Sequence, residues 1–329
     1  MTPLSDSDFA RVLELRANSK TWHDIHAATG LGINPVKLKA HVNHRLKKKE
    51  RVAFSPSVIA NAPSLPRSHA AVLTAPDFPK SLAVEWGRHL LQGRTIGVLS
   101  DIHIPYHDEN AVVAAVDHLA LRGVDTLLLN GDVVDFYQGS RFTRYPTKAS
   151  IKRELELAKQ FLHWLRGRFP DIEIIWKLGN HEERWYSYLA ERAPEVFEIV
   201  SNMWFDVVGA KEHGITMIGE QARIYAGKLL ILHGHELGRG TSTPVNPART
   251  LALRALESGL IGHFHRTSEN SMHTVSGNSI VTRSTGCLCN LSPDYARVNQ
   301  WDHGFAVVTV ESGGDYSCEL KKIINGKVY

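Results

Sequence analysis

The stretch Thr95-Ile96-Gly97-Val98-Leu99-Ser100-Asp101-Ile102-His103 decides the fold. Its aliphatic run reads as a strand buried on both faces, and the Asp-x-His that follows falls where such a strand ends. Outward from it the same pattern recurs. A helical, Ala/Val-rich segment over 110–121 leads to a strand over 124–129 and then to Gly131-Asp132-Val133-Val134-Asp135. An amphipathic helix over 148–165 precedes a third strand, 172–176, which is followed by Gly179-Asn180-His181-Glu182. Beyond about residue 214 the chain reads mostly as strands, at 215–218, 222–226, 229–232, 260–261, 279–283, 305–310 and 316–323. Two of these end in His233-Gly234-His235 and Gly262-His263-Phe264-His265. Strand-helix alternation followed by strands predicts an α/β layered body with mixed sheets.

The 329-residue chain is 43% apolar and 22% charged, near globular averages, which excludes a disordered, collagenous or coiled-coil protein. It has no apolar run of membrane-spanning length and no signal pattern, so a soluble protein of the bacterial or phage-infected cytoplasm is expected. Three cysteines (Cys287, Cys289, Cys318) are too few for a disulfide scaffold. Cys287 and Cys289, two apart on a strand, read as small apolar packing.

The net charge of +4 is unevenly placed: residues 1–52 hold ten Lys and Arg against five Asp and Glu, leaving 28 against 29 for the remainder. That basic segment reads as helices, with Asn34-Pro35 opening the last before a tail of Arg45, Lys47, Lys48, Lys49 and Arg51. It resembles a helix-turn-helix, which makes nucleic acid an expected partner. Five prolines between Ala53 and Pro79 mark a linker. The expected organisation is a basic helical module over 1–52, a Pro-rich linker or arm over 53–92, and a catalytic domain over 93–329.

The strand-end clusters contain oxygen and nitrogen donors and no cysteine. Two carboxylates (Asp101, Asp132), one amide (Asn180) and four imidazoles (His103, His233, His263, His265) are too many for one tetrahedral zinc and suit two metals sharing a bridge. A carboxylate is the group able to span both ions, and Asp132 lies centrally in the order. Such a pair lowers the pKa of a bridging water to give hydroxide and leaves a positive centre for an anionic phosphate. His181, next to Asn180, is the expected general acid, and Asp135 the carboxylate that holds its imidazolium form. Arg184 and Arg266 are candidates for substrate phosphate.

Asp-x-His, Gly-Asp-x-x-Asp, Gly-Asn-His-Glu, His-Gly and Gly-His-x-His, in this order, resemble the five blocks of the calcineurin-like metallophosphoesterase superfamily, over about residues 94–320. Ser100-Asp101-Ile102-His103-Ile104-Pro105-Tyr106-His107 is most similar to phage- or prophage-type phosphoesterases. Phe136-Tyr137 stands where Ser/Thr protein phosphatases have Arg-Gly, which argues against protein phosphatase activity. The resemblance implies two mixed β-sheets flanked by helices. It implies one metal on Asp101, His103, Asp132 and His265, and a second on Asp132, Asn180, His233 and His263, with His181 as acid and Asp135 its partner. Manganese is the expected ion, with Fe, Zn, Ni or Co compatible. A nuclease, phosphodiesterase or nucleic-acid end phosphatase is the leading reading. Beside it stand a broad-specificity phosphomonoesterase or small-nucleotide hydrolase, and a DNA-binding regulator with a non-catalytic phosphoesterase fold. Oligomeric state is left open.

Overall fold

A computed structural model describes residues 5–18, 21–31, 33–40, 42–43, 81–83, 85–238 and 245–329. The basic tail from Arg45 to Arg51, the proline-rich stretch from Ala53 to Pro79, and Arg239 lie outside these residues. The chain divides into two compact units, Met1–Leu82 and Ala83–Tyr329.

In the first unit, α1 (Asp6–Ala17) starts at Ser5, whose side chain accepts from Asp8 N. Helix α2 (Trp22–Thr29) carries a capping box between Thr21 and Asp24 and ends at Gly30 with φ of 58°. Residues 35–40 form α3. Its start is held by Asn34 Oδ1, which accepts from Val36 N at 2.9 Å. Phe9, Val12, Ile25, Leu38 and Val42 form a small buried core.

The second unit is built on two sheets. Its strands are β1 (Arg88–Leu91), β2 (Thr95–Leu99), β3 (Thr126–Asn130), β4 (Glu173–Lys177), β5 (Ile215–Ile218), β6 (Arg223–Ala226), β7 (Leu229–Ile231), β8 (Gly259–Ile261), β9 (Thr267–His273), β10 (Ser279–Thr285), β11 (His303–Val310), β12 (Tyr316–Ile324) and β13 (Lys327–Val328). The seven-stranded sheet runs β13-β12-β11-β2-β3-β4-β5 and the six-stranded sheet β1-β6-β7-β8-β10-β9. Strands β2 to β5 are parallel, and β11 joins β2 antiparallel, so the sheet is mixed as expected. The helices are α4 (Glu109–Leu121), α5 (Ile151–Arg168), α6 (Asn180–Arg192), α7 (Phe197–Val200), α8 (Met203–Val207) and α9 (Pro247–Ala255).

Period-2 alternation divides each central strand between two cores. Ile96 and Val98 of β2, Leu128 of β3 and Ile175 of β4 pack with Ile224, Leu229, Ile231 and Leu260 of the other sheet. Their neighbours Leu99, Leu127, Leu129, Ile174 and Trp176 face the helices, against Ala115 and Leu119 of α4 and Leu162 and Leu165 of α5. Leu251 of α9 packs on the outer face of the six-stranded sheet with Leu230 and Ile261. With β2, β3 and β4 parallel, their carboxyl ends share one edge. The carboxyl ends of β7 and β8, parallel to each other, bring the His233 and His263 loops to the same place.

One boundary needs correction. Arg88–Leu91, inside the stretch read as linker or arm over 53–92, is a strand paired in parallel with β6, and the second unit begins at Ala83 rather than at residue 93. Only Leu91 of its four residues is buried, which leaves too little apolar alternation to read as a strand.

Candidate metal centre

Backbone conformation marks the site first. Among the described residues, eight non-glycine residues adopt positive φ, and five are predicted donors: Asp101 (57°), His103 (56°), Asp132 (53°), His263 (64°) and His265 (55°). Each such residue costs about 1–3 kcal/mol unless its surroundings enforce it, and such strain collects at functional sites. The neighbouring glycines follow from the same crowding. A Cβ at Gly179 would run into the Asp132 carboxylate, and one at Gly262 into Ser100 Oγ and Asp101.

The donors converge in two overlapping sets. His265 Nε2 lies 3.2 Å from Asp101 Oδ1 and 3.1 Å from His103 Nε2, itself 3.8 Å from Asp132 Oδ2. On the other side His233 Nε2 lies 3.2 Å from Asp132 Oδ2 and 3.2 Å from Asn180 Oδ1. Asp132, His233 and His263 offer donor atoms within 4.8 Å of one another. Asp132 Oδ2 thus faces both sets.

Whether these residues suit cations is decided by what their other atoms do. Asp101 Oδ2 accepts from Ser100 Oγ (2.6 Å) and His263 N (2.8 Å), while Asp101 Oδ1 is buried with no hydrogen-bond partner among the described residues. Asp132 Oδ1 accepts from His181 N at 2.8 Å, which leaves Oδ2 to the centre. His103 Nδ1 donates to Asp135 Oδ1 at 3.0 Å and His233 Nδ1 to the Asn130 carbonyl at 2.7 Å, so Nε2 of each faces inward. His265 Nδ1 meets Cys289 Sγ at 3.6 Å. His103 and His265 therefore turn Nε2 atoms toward each other at a separation that a shared cation resolves. His103, His233 and His265 are each held from behind, the usual arrangement of metal-binding histidines, and the donor set fits divalent metal.

Electrostatics agree. Burial works against both carboxylates, yet His233 and its neighbours hold Asp101 at about 2 and Asp132 well below the usual range. Burial likewise opposes charge on His233, but Asp132 and Asp101 raise it to about 10. The same pull acts on any cation placed between them. His263 is pushed down to about 3 by burial and by His233, which leaves its imidazole neutral and able to donate a lone pair.

His181 lies beside the donors, with Nε2 3.8 Å from Asp132 Oδ2. Its Nδ1 contacts Asp135 through both the carbonyl (2.9 Å) and Oδ1 (3.0 Å). Burial, aided by Arg184 and His103, lowers His181 to about 4 despite Asp132 and Asp135, so the ring is neutral and its Nε2 accepts from Arg184 Nη2 at 2.7 Å. Asp135 has a second task that its sequence position did not suggest, since the same Oδ1 also backs His103. Arg184 stands beside His181 and also donates to the Asp135 carbonyl at 3.0 Å. Arg266 instead donates to Gln300.

Three buried side chains were given no role by the sequence reading. Glu182 accepts from four backbone N–H groups, those of Asp132 (3.0 Å), Val133 (2.8 Å), Val134 (3.1 Å) and Gly179 (2.8 Å), and so holds the second and third motif loops together. Its signal was present: a Glu three residues after the Gly179 cap is half of a capping box. Lys177 and Glu236 form a buried ion pair at 2.6 Å. Glu236 also accepts from His233 N (3.2 Å) and Gly234 N (2.6 Å), linking the end of β4 to the His233 loop of the other sheet. Cys289 is more than filler, because it backs His265. Its contact with Cys287, together with burial, raises the thiol well above its usual range, and its Sγ lies with His103 and His265 in a third group able to hold a cation.

The sequence profile of the calcineurin-like phosphoesterase family matches residues 94–281, more than half of the chain. The chain belongs to this family. It is similar to the Gene 54 protein of Mycobacterium phage L5, 31% identical over 248 residues that cover 71% of this chain and 95% of that protein. The Gene 54 protein of Mycobacterium phage D29 is 30% identical over 247 residues, with coverage of 71% and 95%. Among solved structures, Vacuolar Protein Sorting 29 from Cryptosporidium parvum is similar with a TM-score of 0.39 at 14% identity, covering 72% of this chain and 95% of that one. A dimetal phosphatase from Danio rerio gives a TM-score of 0.33 at 12% identity, with coverage of 69% and 95%. Family membership rests on the sequence matches. Among the described residues, no helix is long and apolar enough to cross a membrane.

Proposed function

We propose that the chain is a metal-dependent phosphoesterase acting on nucleic acid or a nucleotide. The observation that carries this reading is the unpartnered Asp101 Oδ1 facing a ring of inward-turned imidazoles and Asp132 Oδ2. Asp101, His103, Asp132 and His265 would hold one divalent cation, and Asp132, Asn180, His233 and His263 a second. Manganese is preferred because the seven donors named are oxygen and nitrogen atoms, with Fe, Zn, Ni or Co as alternatives. When bound, such a pair supplies Lewis-acid polarisation of the phosphoryl group and acidifies the attacking water.

The chain's own residues do the remaining work. His181 is placed to protonate the leaving oxygen from Nε2, with Asp135 at Nδ1 stabilising the charged ring. Arg184 borders Nε2 and supplies N–H groups to phosphate oxygens; as substrate oxygens take over those donors, Nε2 is released to take up a proton from solvent, which it then gives to the leaving oxygen. The net charge of +5 in residues 1–52 supports a nucleic-acid role for the first unit, as added phosphate contacts.

The test is a substrate panel with manganese: chromogenic mono- and diesters beside single-stranded, duplex, and 3′- or 5′-phosphorylated oligonucleotides. Chelator-sensitive hydrolysis of at least one ester, reduced about 10²–10⁴-fold for poor leaving groups in His181→Ala, is expected. Equal loss for good and poor leaving groups would remove His181 as the acid, and no hydrolysis of any ester would remove the function.

A further inference from the structure

A groove of about 550 Å³ opens from the metal centre, with Asn180 and His263 in its lining. One wall is a single face of α6. Asn180, Arg184, Tyr188 and Arg192, all of which line it, recur every four residues and so stack along that helix. At 1.5 Å per residue, Arg192 lies about 18 Å along the axis from Asn180. The facing loop contributes Arg141, Phe142 and Arg144.

Of these arginines, Arg184 lies 3.7 Å from Asp135 Oδ2 and Arg192 3.5 Å from Glu191 Oε1, whereas the two on the loop stand apart from acids. Among the described residues, neither Arg141 nor Arg144 has a carboxylate within ion-pair distance. Arg144 donates to the Gln138 carbonyl at 2.9 Å and lies 5.9 Å from the Tyr188 ring, while Arg141 lies 5.1 Å from the ring of Phe142. The two acids in the lining are spoken for, Glu183 by His235 (3.3 Å) and Glu191 by Arg192 (3.5 Å). Phe142 is 67% exposed, an unusual setting for a phenyl ring unless something covers it.

Guanidinium groups spread over a length that one phosphate cannot span, beside the exposed ring of Phe142, match a single-stranded nucleic acid. At about 3.4 Å per stacked nucleotide, 18 Å accommodates about five. Paired bases in a duplex have their faces covered by each other, whereas an unpaired base can stack on Phe142. Resting on the phosphoesterase reading above, we propose that the groove along α6 binds single-stranded nucleic acid, with the reacting phosphate at the metal centre and flanking phosphates on Arg141, Arg144 and Arg192.

The test uses the full chain in chelator, so that binding is read apart from hydrolysis. The probe is an oligothymidylate of about twelve residues carrying 4-thiothymidine and a fluorophore, compared with an abasic strand and a duplex of equal length. Photocrosslinks are expected within 139–145 and 180–192. Arg141→Ala/Arg144→Ala is expected to weaken thymidylate binding about tenfold and lower its salt slope by about 1.4, which is about 0.7 per lost contact. Phe142→Leu should weaken thymidylate but leave the abasic strand unaffected. Crosslinks confined to 1–52, an unchanged affinity in the double variant, or equal loss for duplex would each overturn the proposal. A chromogenic diester with manganese, assayed in parallel, separates the two levels. Failure to hydrolyse it counts against the phosphoesterase reading, while the chelator measurements still judge the groove.

Discussion

The metal centre and the groove beside it share Asn180 and His263 in their lining yet are built in opposite ways. In the centre, donors sit on loops at the buried ends of strands, five of them in left-handed backbone, and most have their second polar atom tied to a neighbour. In the groove, Arg141, Phe142 and Arg144 stand exposed on a loop with few partners. The contrast separates two kinds of work. Holding a cation would demand donor positions that do not move, whereas the proposed binding of a strand would demand contact area and charge that can adapt.

The sharpest way to break this contrast is at the residue facing both donor sets. Asp132→Asn should lose the paired metals and, with them, turnover by more than about a thousandfold, read as ions per chain by mass spectrometry. A variant that still held two ions would contradict the bridging position. One step out, Asp135→Asn keeps the shape but weakens the acceptor behind His103 and His181. Metal affinity should fall about 10–100-fold, measured by competition with a chelating dye, and an unchanged affinity would show that the rear hydrogen bonds do little.

A smaller effect concerns stability. Glu154, fully buried and accepting from Tyr137 N at 3.1 Å, is raised to about 8 by burial and by Asp135. Because the folded state binds this proton more tightly than the unfolded state, stability should fall as pH rises from about 4.5 to about 8. Glu154→Gln should flatten that fall in thermal melts taken across the window. A slope unchanged in the variant would assign it to other groups.

The same contrast explains what could be read from sequence. The five metal-centre blocks are local strings at strand ends, so each could be seen on its own. The predicted strands of the second unit fall where β2 to β8 and β10 to β12 lie, because each carries an apolar run or an apolar alternation. Strand β9 was missed for the opposite reason. Thr267–His273 is polar, only Thr267 of it is buried, and it is held in place by antiparallel pairing with β10. Glu236 and Lys177 were invisible because their partnership spans two sheets and 59 positions, with no spacing rule to connect them. The groove was hidden likewise, since its arginines come from a loop and a helix some forty residues apart, and only the four-residue recurrence along α6 left a trace.

The claim on which the rest depends is that the seven donors form a working dinuclear site. The most direct measurement is hydrolysis of a chromogenic diester by chelator-stripped chain as manganese is titrated back. The account predicts no activity in the stripped protein and recovery that saturates at two ions per chain. Activity that survives stripping, or that saturates at a single ion, would contradict it.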